Sequence, residues 1–190
     1  MIILGIDPGT IRMGYAIIKV NQNKPQEVLS IGYIDLSDND NHSEKLKCIY
    51  EEIFHLIEKY QPNEMAIESP FYGKNVQSML KLGRAQGVAM AVAFSNNLMV
   101  TEYSPKKIKL SITGNGNASK EQVASMLKNM LLFDYSEKYL DATDALAVAV
   151  CHCFQKNNPI KNSSKKTSSK KQSWKSFIEK NPSKIIDKKS

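Results

Sequence analysis

The sequence predicts an α/β protein in which helices flank a mixed five-stranded sheet. Short apolar runs rich in Ile, Val and Tyr, each bounded by polar turns, are typical of strands. Other segments carry apolar residues at every third or fourth position, as amphipathic helices do. Three strands precede the first helix and the two types then alternate. The order β-β-β-α-β-α-β-α-α-α therefore favours one mixed sheet covered by helices.

Each element follows from its local pattern. The apolar run Met1–Ile6 predicts a buried strand, and the polar turn between Arg12–Val20 and Glu27–Leu36 predicts an antiparallel pair. The first helix should end before Pro62, which cannot continue it. The remaining predicted elements are, in order, a helix over Ser43–Tyr60, a strand over Met65–Glu68, a helix over Val76–Asn96, a strand over Leu98–Tyr103, and helices over Pro105–Ser111, Ser119–Leu131 and Leu140–Phe154.

Two glycines, Gly83 and Gly87, lie four residues apart inside the predicted helix Val76–Asn96. Glycine within a helix costs up to about 1 kcal/mol relative to alanine. Close approach of another backbone would explain both residues. The pattern leaves open whether that backbone belongs to the same chain or to a second copy.

Charge divides the chain into two parts. Residues 156–190 hold 11 Lys against two acidic residues, a net charge of +9, whereas residues 1–155 hold 15 basic and 17 acidic residues. The tail is rich in Lys, Ser and Asn and poor in apolar residues, so it cannot bury enough surface to offset its ordering entropy. We predict a folded domain over 1–155 and a disordered basic tail over 156–190. The tail is either a solubilising end or a flexible arm that binds nucleic acid.

The cysteines and the hydropathy indicate a reduced, cytoplasmic protein. An odd count of three, Cys48, Cys151 and Cys153, argues against a disulfide framework. Cys151, His152 and Cys153 are consecutive on a predicted helix and therefore point in different directions, so they cannot share one ion. Apolar runs are too short to span a bilayer, and the N-terminus lacks a signal-peptide pattern.

Four acidic residues lie against apolar runs and are the candidate catalytic and metal-binding residues. Asp7 and Glu68 each end a predicted buried strand, while Asp141 and Asp144 lie three residues apart on the last helix and share one face. Carboxylates in such places are costly to desolvate unless they are paired. Oxygen-only ligand sets suit Mg²⁺ or Mn²⁺, and two such ions promote in-line displacement at phosphate.

Five motifs in order resemble the RuvC family of crossover (Holliday) junction endodeoxyribonucleases, which have a ribonuclease H-like fold. The resemblance runs from Met1 to about Phe154. The motifs are Gly5-Ile6-Asp7-Pro8-Gly9-Thr10 with Gly14-Tyr15, Glu68-Ser69-Pro70-Phe71 with Lys74-Asn75, Leu80-Lys81-Leu82-Gly83, Gly114-Asn115-Gly116-Asn117-Ala118-Ser119-Lys120-Glu121-Gln122-Val123, and Asp141-Ala142-Thr143-Asp144-Ala145-Leu146-Ala147.

The resemblance implies a function and its residues. Residues 1–155 would be a nuclease domain that resolves four-way DNA junctions by paired symmetric nicks, in DNA recombination and repair. The four acids match the family's ligands for two Mg²⁺ per active site, with Mn²⁺ able to substitute. Phe71 matches an aromatic placed against a base, Lys109 and Lys120 match basic residues near the scissile strand, and Lys74 is a further candidate DNA contact. A homodimer and the partners RuvA and RuvB are also implied.

One segment departs from the family pattern. Gly83-Arg84-Ala85-Gln86-Gly87 stands where Gly-Gln-Ala-Arg-Gly is expected, so the polar pair is exchanged. A DNA contact carried over from that arginine is therefore in doubt.

Three alternatives remain at this stage. An actin-like phosphotransferase shares an Asp-x-Gly-Thr turn, but it needs a second lobe for which the domain is too short. A junction-binding scaffold without cleavage is disfavoured because all four acids are present. A ribonuclease or pre-ribosomal RNA processing factor of the same fold is the closest rival.

Overall fold

Five strands and five helices follow one another in the predicted order. The computed structural model of the chain describes residues 1–21, 27–38, 41–70, 75–131 and 140–157, with only the backbone at 140, 141 and 157. The strands are β1 (Ile2–Asp7), β2 (Arg12–Lys19), β3 (Glu27–Asp35), β4 (Glu64–Glu68) and β5 (Met99–Tyr103). The helices are α1 (His42–Tyr60), α2 (Val76–Ser95), α3 (Pro105–Thr113), α4 (Lys120–Leu131) and α5 (Leu140–Asn157).

The strands form one mixed sheet in the order β3-β2-β1-β4-β5. β1 and β2 are antiparallel, as are β2 and β3, which confirms the predicted antiparallel pair. β4 lies parallel to β1 on its other side, and β5 lies parallel to β4. The carboxyl ends of β1, β4 and β5 therefore meet at one edge of the sheet, which is where open α/β sheets usually place a site.

Helices cover both faces of the sheet, and alternation along each strand assigns its side chains to a face. Leu4 and Ile6 of β1 belong to the core under α1 and α2. Ile3 belongs to the core under α3, α4 and α5. Because Asp7 lies four residues after Ile3, its side chain shares the α5 face. The same parity places Glu68 with Ala66 on that face.

α5 lies directly against β1 because Gly5 has no side chain. A Cβ at Gly5 would lie 2.4 Å from the carbonyl oxygen of Ala145 and 2.8 Å from the Cβ of Ala149. No larger residue fits without moving the helix. The close contact brings the start of α5, which carries two of the four acids, to the edge where β1 ends.

Several helix boundaries differ from the predicted ones by one to three residues, and those of α1 and α5 have a structural reason. α1 begins at His42, which the sequence placed in a polar loop, because Asn41 caps it by accepting from the Glu44 amide. α5 continues past Phe154 to Asn157, so the border predicted between residues 155 and 156 falls inside the helix. The ammonium of Lys156 pairs with Glu64 at the start of β4. Met1–Asn157 forms one compact unit.

Within the part of the chain that the structure describes, the α2 glycines have no close neighbour. A Cβ at Gly83 or at Gly87 would meet no atom of the described residues within 4 Å. The described residues therefore give no internal packing that explains the two glycines, and both are exposed.

Several predicted features lie outside the described residues. They include Phe71, Lys74, the side chain of Asp141 and the tail beyond Asn157. In the part of the chain that the structure describes, no helix combines the length and apolarity needed to cross a membrane.

Candidate active site

Two of the four candidate acids end neighbouring parallel strands. Ile6 of β1 is in register with Ile67 of β4, and Asp7 and Glu68 each follow by one residue. Adjacent strands lie about 4.8 Å apart, so the two carboxylates start from neighbouring positions. Both side chains are directed to the α5 face by strand alternation. The sequence placed both acids at strand ends but could not show that the strands are adjacent.

The tight turn after β1 keeps Asp7 at the sheet edge. Gly9 approaches the backbone of Arg12 so closely that a Cβ would lie 1.7 Å from the Arg12 carbonyl oxygen. Only glycine is compatible with this turn. The chain therefore reverses at once into β2, where Gly14 pairs with Asp7.

α5 supplies the third described carboxylate. Asp144 precedes Ala145, whose carbonyl rests on Gly5, so the contact between α5 and β1 holds Asp144 beside the end of the strand. Its side chain retains 20% exposure, in contrast to the fully buried Ala145. Asp141 lies one turn nearer the start of the same helix.

The side chains of Asp7, Glu68 and Asp144 line one cleft of about 210 Å³. Its remaining walls come from α3, α4 and the apolar face of α5. The lining residues are Asp7, Glu68, Pro105, Ile108, Lys109, Lys120, Val123, Asp144 and Ala147. The structure thus brings together five of the eight residues that the sequence singled out.

Lys120 reaches the acids from the first position of α4. The Ser119 hydroxyl accepts from the Gln122 amide at 3.3 Å, and the Gln122 side chain accepts from the Ser119 amide at 2.9 Å, a capping box that fixes where the helix begins. Lys120 Nζ then lies 2.5 Å from Asp144 Oδ2. A cation at a helix N-terminus opposes the helix dipole, so the nearby carboxylates must compensate.

Lys109 approaches from α3. Ser104 caps this helix by accepting from the Lys107 amide, and Gly114 ends it in the left-handed conformation at φ 75°. The half-buried Lys109 lines the cleft, and its charge acts to lower the pKa of Glu68. Both lysines that the sequence singled out near the acids therefore act on the same carboxylate, that of Glu68.

Glu68 has a strongly perturbed pKa. Burial, followed by the negative charge of Asp144, raises the pKa of Glu68 to about 7, although Lys120 and Lys109 oppose the shift. The two lysines therefore do not supply enough positive charge to hold this carboxylate ionised well below neutral pH. A site with this imbalance has capacity for a further cation.

The donor set fits a hard divalent metal. Among the described side chains, no three from His, Cys, Asp and Glu are already grouped around a single ion position. The carboxylates of Asp7, Glu68 and Asp144 nevertheless line the same cleft and offer only oxygen. Mg²⁺ and Mn²⁺ prefer such ligands. The raised pKa of Glu68 is consistent with a site that gains from added positive charge.

A second cleft, which no sequence pattern indicated, adjoins the first. It has a volume of about 310 Å³ and shares Asp7, Lys120 and Asp144 with the first cleft. Its other lining residues come from the turn after β1 and the start of β2, namely Pro8, Gly9, Ile11, Arg12 and Gly14. The acids therefore stand between two connected depressions.

The exchanged polar pair on α2 takes opposite environments. Gln86 is 7% exposed, and its Nε2 donates to Glu102 Oε2 of β5 at 2.9 Å. Arg84 is exposed. The buried member of the exchanged pair is therefore the neutral amide of Gln86, and its hydrogen bond joins α2 to β5.

The chain is similar to known proteins of one family. The family profile of crossover junction endodeoxyribonuclease RuvC matches residues 3–152. The RuvC of Bacteroides fragilis is 53% identical over 186 residues, which cover 97% of this chain and 95% of that protein. The RuvC of Cytophaga hutchinsonii is 55% identical over 184 residues, which cover 97% of this chain and 88% of that protein.

A solved structure supports the same assignment. The chain aligns with Thermus thermophilus RuvC in complex with Holliday junction substrate at a TM-score of 0.76 and 27% identity, over 82% of this chain and 94% of that one. The mixed sheet with helices on both faces is therefore the predicted ribonuclease H-like fold. With the family profile matched over most of its length, this chain belongs to the crossover junction endodeoxyribonuclease RuvC family.

Proposed function

We propose that this protein is a magnesium-dependent endonuclease that resolves four-way DNA junctions by paired symmetric nicks. The observation that carries the proposal is the convergence of Asp7, Glu68 and Asp144 with Lys109 and Lys120 in one cleft. Relatives at more than half identity are named crossover junction endodeoxyribonucleases, and a structural neighbour was solved with Holliday junction substrate.

Each residue has a role in this chemistry. Asp7, Glu68, Asp141 and Asp144 would hold two Mg²⁺, for which Mn²⁺ can substitute. Bound in this way, the ions would lower the pKa of a water and offset the charge that develops at phosphate. The Lys109 and Lys120 ammonium groups lie where they would stabilise negative charge on the phosphoryl oxygens in the transition state. The products would carry a 5′ phosphate and a 3′ hydroxyl, which a ligase can seal.

The two connected clefts suit a single DNA strand that crosses the acids. One side of the path is lined by Glu68 and Lys109, and the other by Pro8, Gly9 and Arg12. A scissile phosphate over Asp7 and Asp144 would have neighbouring nucleotides in both depressions. We place Phe71 and Lys74, which lie outside the described residues, among the DNA contacts of the same strand.

We also propose that the protein is a homodimer joined through α2. Every third or fourth residue along this helix is exposed and either apolar or glycine, and these residues form one stripe. Its members are Val76, Leu80, Gly83, Gly87, Ala91 and Phe94, of which Val76, Leu80 and Phe94 are 66%, 53% and 55% exposed.

The two glycines let a second helix approach closely, with the apolar side chains on either side of the contact. A two-fold axis through the stripe would pair it with itself, as a closed dimer requires. Two active sites related by that axis match a junction that is itself two-fold symmetric. RuvA and RuvB, which the resemblance implies, would act with such a dimer at the junction.

The decisive experiment compares labelled four-way DNA, duplex DNA and an RNA–DNA hybrid side by side with Mg²⁺. We expect symmetric nicks in the four-way substrate and little cleavage of the others, with products that ligase reseals. Preferential cleavage of the hybrid would establish the ribonuclease alternative instead. Binding of the junction without nicking, in the parent as well as in Asp7→Asn, would favour the scaffold.

A further inference from the structure

A buried polar network joins α5 to two strands on the same face as the active site. His152 of α5 is 3% exposed, and its Nε2 lies 2.7 Å from Glu64 Oε2 of β4. Its Nδ1 lies 2.8 Å from the hydroxyl of Tyr103 at the end of β5. Lys156 pairs with the other oxygen of Glu64. None of these residues lines the clefts around the acids.

The protonation states of the network follow from its charges. Burial acts to raise the pKa of Glu64, but hydrogen bonds from Lys156 and His152 outweigh it and lower that pKa, so Glu64 is ionised. Burial raises the pKa of Tyr103 to about 12, so its hydroxyl stays protonated. The hydroxyl can then donate to Nδ1 of His152, whose Nε2–H donates to Glu64 in the matching tautomer. Lys156 balances the Glu64 charge.

Apolar packing makes up much of the buried α5 face. Ala142, Ala145 and Ala149 are fully buried, as are the larger Val148 and Val150. Contacts between small apolar side chains are not directional, whereas hydrogen bonds hold their partners within a few tenths of an ångström. Gly5 sets how closely α5 approaches the sheet. His152 bonds to β4 and β5 together, and so fixes how far the helix lies along them.

We infer that the network of Glu64, His152 and Tyr103 is a positioning device that sets the register of α5 on the sheet and thereby places the α5 carboxylates against those of β1 and β4. The inference rests on the proposed function, in which these carboxylates hold the metal.

The geometry explains how the loss of the His152 hydrogen bonds would displace the carboxylate of Asp144. Asp144 and His152 are eight residues apart on one helix, about 12 Å along its axis, and Glu64 begins the strand that Glu68 ends. The hydrogen bond between His152 and Glu64 therefore joins α5 to β4 at one end, and Asp144 and Glu68 lie at the other end. A misplacement of about 1 Å at a reacting centre can cost about 100-fold in rate.

Four variants separate positioning from stability. His152→Leu removes both hydrogen bonds, and Tyr103→Phe removes only the hydroxyl. His152→Gln is the conservative variant, because its amide can still donate to Glu64. Ile53→Val is the control, since Ile53 is fully buried in α1 on the opposite face of the sheet.

The first measurement is Mn²⁺ binding to the DNA-free full chain by electron paramagnetic resonance, with melting temperatures measured in parallel. We expect His152→Leu to weaken binding about 10-fold, the size of effect seen when outer partners of metal ligands are lost. Tyr103→Phe should give a smaller loss, and His152→Gln should recover most of the parent affinity. Ile53→Val should lower the melting temperature without changing Mn²⁺ affinity.

The second measurement is single-turnover nicking at saturating protein over a Mg²⁺ series, in which the half-saturating concentration should rise in the same order. Parent-like Mn²⁺ affinity in His152→Leu, with only a lower melting temperature, would overturn the inference. Failure of the proposed function is distinguishable. If the parent binds Mn²⁺ and Asp7→Asn does not, but the parent nicks no junction, the proposed nuclease function is wrong. The Mn²⁺ affinities of the variants would still test whether the network positions the α5 carboxylates.

Discussion

Lys120 Nζ lies 2.5 Å from Asp144 Oδ2, which links the first residue of α4 to α5 at the mouth of the cleft. The lysine side chain is 69% exposed and the aspartate 20% exposed, so the lysine can leave without opening the core. An ammonium and a divalent metal are both cations that require the Asp144 carboxylate. In the proposed mechanism, the ion pair would therefore compete with metal binding, and Lys120 would lie beside the phosphate once the metal had displaced it.

Lys120→Met should separate these two effects. Without DNA, we expect Mn²⁺ to bind at least as tightly as in the parent, because a competing cation is gone. Cleavage should fall about 100-fold or more, because a group that stabilises transition-state charge is lost. Lys47→Met, which removes an exposed pair with Glu51 at 3.7 Å, is the matched control. Parent-like nicking by Lys120→Met would contradict the role.

Asp7→Asn should abolish nicking by orders of magnitude and leave junction binding nearly unchanged. The substitution removes a charged oxygen ligand from the sheet edge but keeps the size of the side chain. Gel shifts without divalent metal measure binding, and single-turnover assays with Mg²⁺ measure cleavage. Nicking close to the parent rate would show that the site has been assigned to the wrong residue.

Stability should depend on pH through Glu68. Its pKa is raised from 4.5 to about 7, so the folded state holds this proton more tightly than the unfolded state does. The resulting stability is fully present below about pH 4.5 and is lost as pH rises through about 7. Glu68→Gln removes the effect.

In metal-free buffer, the parent should therefore lose on the order of 1–3 kcal/mol relative to Glu68→Gln between about pH 5 and 8. Added Mg²⁺ should reverse the loss in the parent at high pH, since the metal binds the ionised carboxylate. Melting curves over this pH range provide the measurement. Parallel curves for the two proteins would mean that Glu68 titrates normally.

Leu80→Glu should convert a dimer into a monomer. A charge at Leu80, about one turn from Gly83 in the α2 stripe, would be buried without a partner in the two-fold contact. Gln77→Glu introduces the same charge on a neighbouring, exposed part of the helix and should remain dimeric. Sedimentation equilibrium of both variants measures the state. If Leu80→Glu has the parent mass, the dimer axis does not run through α2.

Residues 158–190 should supply much of the non-specific DNA affinity. They hold ten Lys against two acidic residues, and each phosphate contact adds nearly one unit to the slope of log affinity against log salt. A protein ending at Asn157 should show a shallower slope and an unchanged single-turnover rate at saturating protein. It must retain Lys156, which pairs with Glu64. An equal slope would make the tail a solubilising end.

Local pattern was sufficient to predict the elements and the acids. Strand and helix periodicities repeat over several residues, so β3 and α2 were each predicted to within one residue of their ends. Asp7 and Glu68 interrupt apolar runs, and this makes them visible without knowledge of the neighbouring strand. The end of α5 lies three residues beyond the predicted one, and its last turn includes Lys156, whose pairing with Glu64 is a tertiary contact that no local pattern shows.

Only the tertiary structure decided which of these residues meet and what surrounds them. Glu64, Tyr103 and His152 lie far apart in sequence, and each looks like an ordinary residue of its element until the sheet brings them together. The same holds for the second cleft beside Arg12 and for the inward turn of Gln86. The sequence by itself determined which side chains are the candidates for the chemistry, because their local contexts are distinctive. Their pairing depended on strand order and helix register, which are set by long-range packing that no local pattern encodes.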